Sequence, residues 1–498
     1  MGIIIRQSSW STLLSFSGII IGYINVLYLF PAYFTPGEIG LTKVIQDFAM
    51  LLVSFAQLGT RSSIIRFFPS MQISRSKADS FFSLMLFLSL TGYLIFLLLT
   101  FFLKAPLLSL FIENSPEVVT YFSLVLVLVL IMVIHNVISD FTRSFLEILV
   151  PNFLKEVLLR LWTTLCIAAY VLGWVDFEIF LFCIVGAYSL NLLILSIYLF
   201  TKTSTRFKFN FWKELKPDEI RPIVTYGLYA LIGAGGSIIV SKVDVVMVTS
   251  MLGTFDTGIY TTAFYMAAVI EVPRRMVTQI STPLISRHLE SSDMRSVRDI
   301  YTKSSINLLI IGFLFLTGIL ANLNNIYYYV PNNEIYEAGK LVVIFVGLGK
   351  LIDMSFGLNG EIIILSKYYK VNILLTGFLA IITIAANYYL IPIYGITGAA
   401  VGTTFSIVLF NLLKFIFVWV KFKLQPFTIN HLKLLFIGGL IFGAAYMTPS
   451  LDNHLADLIL RSILIVVVYV GLVYLLKISE EINLTLQQIY KKVLNQFR

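Results

Sequence analysis

From residue 10 to residue 477 the chain repeats one pattern: an apolar run of roughly 20 residues, then a break of Pro, Gly or clustered charge. A helix that crosses the hydrocarbon core of a bilayer needs about that length. The breaks define fourteen spans, at 10–33, 41–66, 79–103, 118–140, 150–173, 177–200, 222–252, 257–285, 303–327, 339–365, 369–390, 395–420, 432–448 and 456–477. The thirteenth is short, and its Gly438, Gly439 and Gly443 suit close packing against a neighbour. Only 13% of the residues are charged and 58% are hydrophobic, with a mean hydropathy of +0.89. Soluble domains are about a quarter charged. The expected fold class is therefore an all-α polytopic membrane protein, one large bundle rather than several soluble domains. Cys166 and Cys183 both fall in apolar runs, so no disulfide framework or Cys-based metal site is expected. "MGIIIRQSSW" enters the first apolar run with no small-residue cleavage site, which reads as a retained first helix.

Loop charge fixes the expected orientation. With the N-terminus inside, the inner loops 66–80, 141–155, 201–221, 286–303, 366–370 and 421–433 hold 20 Lys and Arg. The outer loops hold Lys43, Lys104 and Lys340 beside ten acids. That asymmetry follows the positive-inside rule and places both termini in the cytoplasm. It also accounts for most of the net charge of +9, so no nucleic-acid partner is implied. The stretch "TKTSTRFKFNFWKELKPDEIRP" separates two groups of six spans. Its basic residues alternate with Phe207, Phe209, Phe211 and Trp212, as in an amphipathic linker on the inner leaflet. The tail 478–498 reads the same way, with Ile482, Ile489, Val493 and Phe497 against Lys491 and Lys492.

The two groups of six carry an internal repeat. "TPGEIGLTKVIQDFAML" (35–51) matches "TFDTGIYTTAFYMAAVI" (254–270), with Gly40 and Gly258 separated by 218 residues. "VPNFLKEVLL" (150–159) matches "LSKYYKVNIL" (365–374), and "LGWVDFEIFLFC" (172–183) matches "IYGITGAAVGTT" (393–404), at nearly the same offset. The expected organisation is an N-lobe at 1–200, a linker at 201–221, a C-lobe at 222–420, two added helices within 421–477, and the tail. In such repeat transporters the substrate site lies at the repeat interface near mid-membrane.

Three segments, "EIGLTKVIQDFAMLLVSFAQLGTRSSIIRFFP" (38–69), "DVVMVTSMLGTFDTGIYTTAFYMAAVIEVPRRMVTQISTPLIS" (244–286) and "NYYLIPIYGITGAAVGTTFS" (387–406), resemble the polysaccharide transporters of the multidrug/oligosaccharidyl-lipid/polysaccharide exporter superfamily, in its O-antigen flippase-like branch. The similarity runs over essentially the whole chain, and its motifs are structural turn glycines and packing positions. The resemblance implies a V-shaped two-lobe transporter in the bacterial inner membrane. It would move an undecaprenyl-pyrophosphate-linked oligosaccharide from the cytoplasmic to the periplasmic leaflet by alternating access, for O-antigen, capsule or exopolysaccharide. The implied partners of this monomeric unit are the lipid-linked oligosaccharide, membrane lipids, and polysaccharide polymerase and glycosyltransferase machinery.

Charges inside the spans give the candidate site, because an ionisable group in a membrane usually faces a bundle interior or water. In the N-lobe these include Asp47 and Arg61, and in the C-lobe Lys242, Glu271, Arg274, Arg275, Lys350 and Asp353. Arginine suits a pyrophosphate head because its fork binds phosphate oxygens bidentately and keeps its charge. By the repeat, Arg61 and the Arg274–Arg275 pair occupy equivalent helices and would face each other across the cleft. Plainer expectations stand beside this. Glu271 with Arg275, Asp140 with Arg143, and Lys350 with Asp353 are spaced for local helix pairing. Pro273 is expected to kink its helix.

Relatives of the peptidoglycan-precursor flippase type hold sodium between helices seven, eleven and twelve. The matching positions here are Asp244, Thr383, Asn387 and Thr403, all oxygen-bearing as a hard cation requires. No other metal or cofactor is expected, with Na⁺ or H⁺ as the coupling ion. The main alternative is a cation-coupled multidrug extruder of the same superfamily, which would want an acid-dominated cavity. A membrane-embedded polymerase or ligase needs sizeable outer loops and a catalytic motif; neither is present in the sequence, so the chain is not expected to be an enzyme.

Overall fold

The computed structural model describes residues 14–448 and 451–496. The expected start at 1–10 lies outside them, as do the final residues of the tail and its side chains from Ile489 onward. Helix starts are set by local hydrogen bonding. Thr35 Oγ1 accepts from Glu38 N at 3.3 Å while Glu38 Oε2 accepts from Thr35 N at 2.8 Å, a reciprocal cap ahead of Pro36. Asp176 caps Phe177–Lys202 through Ile179 N, and Asn453 caps His454–Leu475.

Among the described residues nine helices are long and apolar enough to cross a membrane. The number is ten if Asn333–Ser355 and Asn359–Leu365, bent by 53°, form one span. The count of fourteen is not reached by length and composition, because several expected spans are interrupted and the run Tyr369–Phe422 counts once although a kink divides it. Span two breaks after Pro36–Ala56 at Leu58 (φ 48°) and Gly59 (φ 70°), then resumes as Thr60–Met71. A Cβ on Gly59 would sit 1.9 Å from the Gly227 carbonyl oxygen, so the break needs glycine twice over. Span five is π-helical at Leu154–Leu158 before Leu159–Val171. Spans eleven and twelve are two helices within the run Tyr369–Phe422, and they meet at a kink where Gly395 is non-helical (φ 58°), at the expected boundary. Of the three glycines in span thirteen, Gly438 packs against Phe313, whereas nothing lies near Gly439 or Gly443.

The chain divides into two compact units, Met1–Thr262 with Thr383–Ile396, and Ala263–Ile382 with Thr397–Arg498. In the first, Pro217–Leu252 packs along Pro36–Ala56, and a core of Ile64, Phe68, Phe81, Phe82, Phe141 and Leu195 stacks aromatic edges against faces. In the second, Met294–Ala321 is the central helix, packed by Lys340–Ser355, Ile429–Met447 and His454–Leu475.

The repeat glycines meet within the first unit. A Cβ on Gly40 would fall 1.8 Å from the Thr254 carbonyl oxygen, and one on Gly258 would fall 2.0 Å from that of Pro36. Pro36 and Thr254 are separated by the same 218 residues as the two glycines, so the contact is reciprocal. Each helix start lies against the other's first turn at a distance only glycine allows.

The linker is docked rather than loose. Phe211 and Leu215 are buried in the first unit's core, and Lys208 N donates to Ser83 Oγ at 2.8 Å. Lys77 Nζ donates to Glu219 Oε1 at 2.5 Å, and Glu214 accepts from Ser76 and Lys208. Those bonds hold both carboxyls below the usual glutamate range. Phe209 and Trp212 stay exposed.

Candidate functional site: two interior charge clusters

In the first unit the Pro36–Ala56 helix presents Asp47 to Lys242 on Pro217–Leu252, Nζ to Oδ1 2.6 Å. Lys242 and Asp244, two residues apart, point to different partners: Asp244 is buried and accepts from Tyr260 Oη at 3.0 Å. Lys43, counted above among outer-loop residues, lies inside the helix one turn before Asp47, with Nζ 5.9 Å above the Phe30 ring. The cap at Thr35 starts the helix early enough to carry it inward. Arg61 is 55% exposed and reaches Asp140, Nε to Oδ2 3.8 Å. The local Asp140–Arg143 pair does not form; Arg143 instead donates to Asn152 Oδ1 at 3.0 Å.

Of the expected ion-site oxygens, Thr383 and Asn387 are fully buried in this unit, and neither amide atom of Asn387 has a hydrogen-bond partner among the described residues. Thr403 is buried in the second unit. A carboxylate, a hydroxyl and an orphaned amide oxygen are the donor set a hard cation takes. Among the described residues no group of three His, Cys, Asp or Glu could hold a metal ion.

The second unit holds a denser cluster. Glu271 pairs with Lys350, and Arg274 pairs with Asp353. Both pairs join residues 79 apart, so the two segments run in the same direction, one helical turn separating two pairs of opposite polarity. The local Lys350–Asp353 pairing is therefore replaced by pairing across helices, which satisfies four partly buried charges instead of two. The reason lies at Pro273. Rather than kinking a continuous span, it stands in the first turn of Val272–Glu290, directly after the 3₁₀ turn Val269–Glu271. The tighter turn sets Glu271 and Arg274 towards Lys340–Ser355.

Arg275 is 72% exposed and only 3.8 Å from Glu271, the expected local pair. Asp353 also accepts from Asn411 Nδ2 at 2.8 Å, and Asn411 accepts from Asn359 Nδ2 at 3.3 Å. Asn359 opens the short helix beyond the bend at Gly357 (φ 58°), and Glu361 lies one half-turn on with a buried, unpartnered Oε2. Glu361 stands out in the sequence as an acid inside span ten, but sequence reasoning passed over Asn411 and Lys414 as site partners. Only the depth of Lys414 in an otherwise apolar helix could have flagged them.

Each cluster is thus a set of cations held against carboxylates inside apolar helices, able to offer guanidinium and ammonium groups to an anion that displaces the acids. Comparison with curated proteins finds no match. The family model described as polysaccharide biosynthesis protein matches residues 4–289. Among solved structures, the lipid II flippase MurJ in an inward closed conformation is 14% identical, with a TM-score of 0.76 over 94% of this chain and 99% of that one. An inward-facing multidrug resistance MATE family transporter of the MOP superfamily is 14% identical, with a TM-score of 0.62 over 85% of this chain and 95% of that one. A MOP superfamily transporter from Pyrococcus furiosus, described by a reversed polarity of its binding pocket, is 14% identical with a TM-score of 0.55 over 84% and 95%. With a family match across more than half its length, the chain belongs to the polysaccharide biosynthesis protein family, and it is a multi-pass membrane protein whose fold is like that of the MurJ and MATE structures.

Proposed function

We propose that this protein is a flippase that carries an undecaprenyl-pyrophosphate-linked oligosaccharide from the cytoplasmic to the periplasmic leaflet of a bacterial inner membrane, with both termini cytoplasmic. The observation that carries the reading is the arginine couple of the second unit: Arg274 held partly buried against Asp353, with Arg275 beside it, open and weakly paired. A pyrophosphate offers more charge than either carboxylate and can take the guanidinium forks bidentately. Lys350 with Glu271 in the same unit, and Arg61, Asp47 and Lys242 in the first, are the further polar groups assigned to the head. The prenyl tail needs no protein charge and stays in lipid.

Alternating access supplies the motion, and no chemical step on the substrate is needed, so the protein is not an enzyme. The product serves cell-surface polysaccharide assembly, alongside glycosyltransferases and a polymerase. Asp244, Thr383 and Asn387 are the residues that would hold a coupling cation, Na⁺ or H⁺.

The test replaces Arg274 and Arg275 by Ala and follows outer-leaflet appearance of lipid-linked glycan in cells lacking the native protein. Loss of translocation with normal membrane insertion is expected. Wild-type translocation, or undiminished export of cationic dyes by the unaltered protein, sinks the assignment and favours a multidrug extruder.

A further inference from the structure

We infer that Lys414 is a positioning residue: it is the reserve counter-ion that takes Asp353 when an incoming diphosphate draws Arg274 away. The inference rests on the anion-binding reading of Arg274 above and adds a residue to it. An anion can claim Arg274 only if Asp353 is not left as an unpaired carboxylate among apolar helices, which is strongly unfavourable. Asn411 already donates to Asp353 Oδ1, but a neutral amide cannot replace a cation.

Lys414 stands one turn after Asn411 on Tyr369–Phe422 and is 4% exposed. Among the described residues it makes no ion pair. Its Nζ lies 4.0 Å above the Phe410 ring, and a Cβ on Gly360 would be 3.6 Å from it. The charged groups that act on it are Asp353, Arg274 and Glu361, contributed by three different helices. A buried ammonium parked on an aromatic face, beside two carboxylates and bonded to neither, has a partner to gain. Lysine suits the task because its long flexible stem lets a compact charge swing without moving the helix.

The inactive arrangement is thus Arg274–Asp353 with Lys414 on Phe410. In the loaded arrangement the diphosphate holds Arg274, and Asp353 holds Lys414. No covalent bond or proton moves. Glu361 keeps the cluster balanced, with three acids against Arg274, Lys350 and Lys414 while Arg275 is exposed.

The experiment measures binding of inorganic pyrophosphate, and separately of farnesyl diphosphate, to the purified full-length protein in nanodiscs. Lys414→Met is expected to weaken both by about 30-fold or more, the scale for stranding one partner of a buried pair. Lys414→Arg restores most of the affinity. In an Asp353→Asn background, which removes the carboxylate that needs the reserve, Lys414→Met changes binding little. Lys414→Gln replaces Lys414→Met if thermal unfolding shows that the latter does not fold.

A Lys414→Met protein that folds and binds like wild type overturns the inference, as does an equal loss in the Asp353→Asn background, which would make Lys414 a direct ligand or a packing residue. Arg274→Ala separates the two levels. If it abolishes pyrophosphate binding while Lys414→Met does not, only the role of Lys414 falls. If the unaltered protein binds no pyrophosphate, or Arg274→Ala binds it normally, the reading of the site falls and takes this inference with it.

Discussion

Arg274 and Asp353 form a partly buried ion pair across two helices that run in the same direction, and Asn411 fixes the acid from a third. The same geometry, with polarity reversed, recurs one turn earlier at Glu271 and Lys350. Removing one partner of such a pair costs more than removing both, because a lone charge stays in an apolar interior. Asp353→Ala should therefore destabilise the protein by about 3–5 kcal/mol, whereas Arg274→Met with Asp353→Leu should recover most of that while transport stays lost. Thermal unfolding in detergent, beside a flipping assay, checks both halves. Equal destabilisation by the single and double variants would count against the pair.

Arg61 offers the opposite case. It is more than half exposed and 3.8 Å from Asp140, so Arg61→Ala should change stability by less than about 1 kcal/mol. If Arg61 contacts substrate, translocation falls even though the melting temperature holds. A parallel drop in both would make it a structural residue.

Gly258→Ala should be costly because its Cβ would lie 2.0 Å from a main-chain oxygen that cannot swing aside. The expected loss is at least ~1–3 kcal/mol, the usual range for overpacking, and Gly40→Ala should match it. Gly439→Ala, with nothing within 4 Å, is the control and should be neutral or slightly stabilising. Comparable melting temperatures for all three would refute the close contact.

At the linker, hydrogen bonds from Ser76 and Lys208 to Glu214, and from Lys77 to Glu219, depress both carboxyl pKa values below 4.5. A depressed acid stabilises the folded state above its unfolded pKa, and the contribution disappears as pH falls through the folded value. Docking of 204–216 should thus be intact at neutral pH and loosen only below about pH 4.5. Hydrogen exchange of this segment across pH, corrected for intrinsic rates, reads it directly. Loosening between pH 6 and 8 would point to another group.

Several features of the site could be read from composition and spacing. Arg274, Asp353, Glu271 and Lys350 stood out because charge in a run of apolar residues has no cheap reason to be there. Their partners did not. Spacings of three and four favoured local pairs such as Lys350 with Asp353 and Asp140 with Arg143, yet both acids pair across helices. Glu271 with Arg275 did form locally, at 3.8 Å with Arg275 largely exposed.

The sequence by itself determined that this chain crosses a membrane many times as helices, because apolar length and charge placement are properties of residues in order. It also marked Gly40 and Gly258 as equivalents through their repeat. Only the tertiary structure decided that these glycines touch each other's helix starts, that spans break at Gly59 and Gly357, and that Lys414 joins the Arg274 cluster. Those outcomes depend on which helices become neighbours and at what register. That choice is made by packing between segments hundreds of residues apart, where periodicity along one helix carries no information.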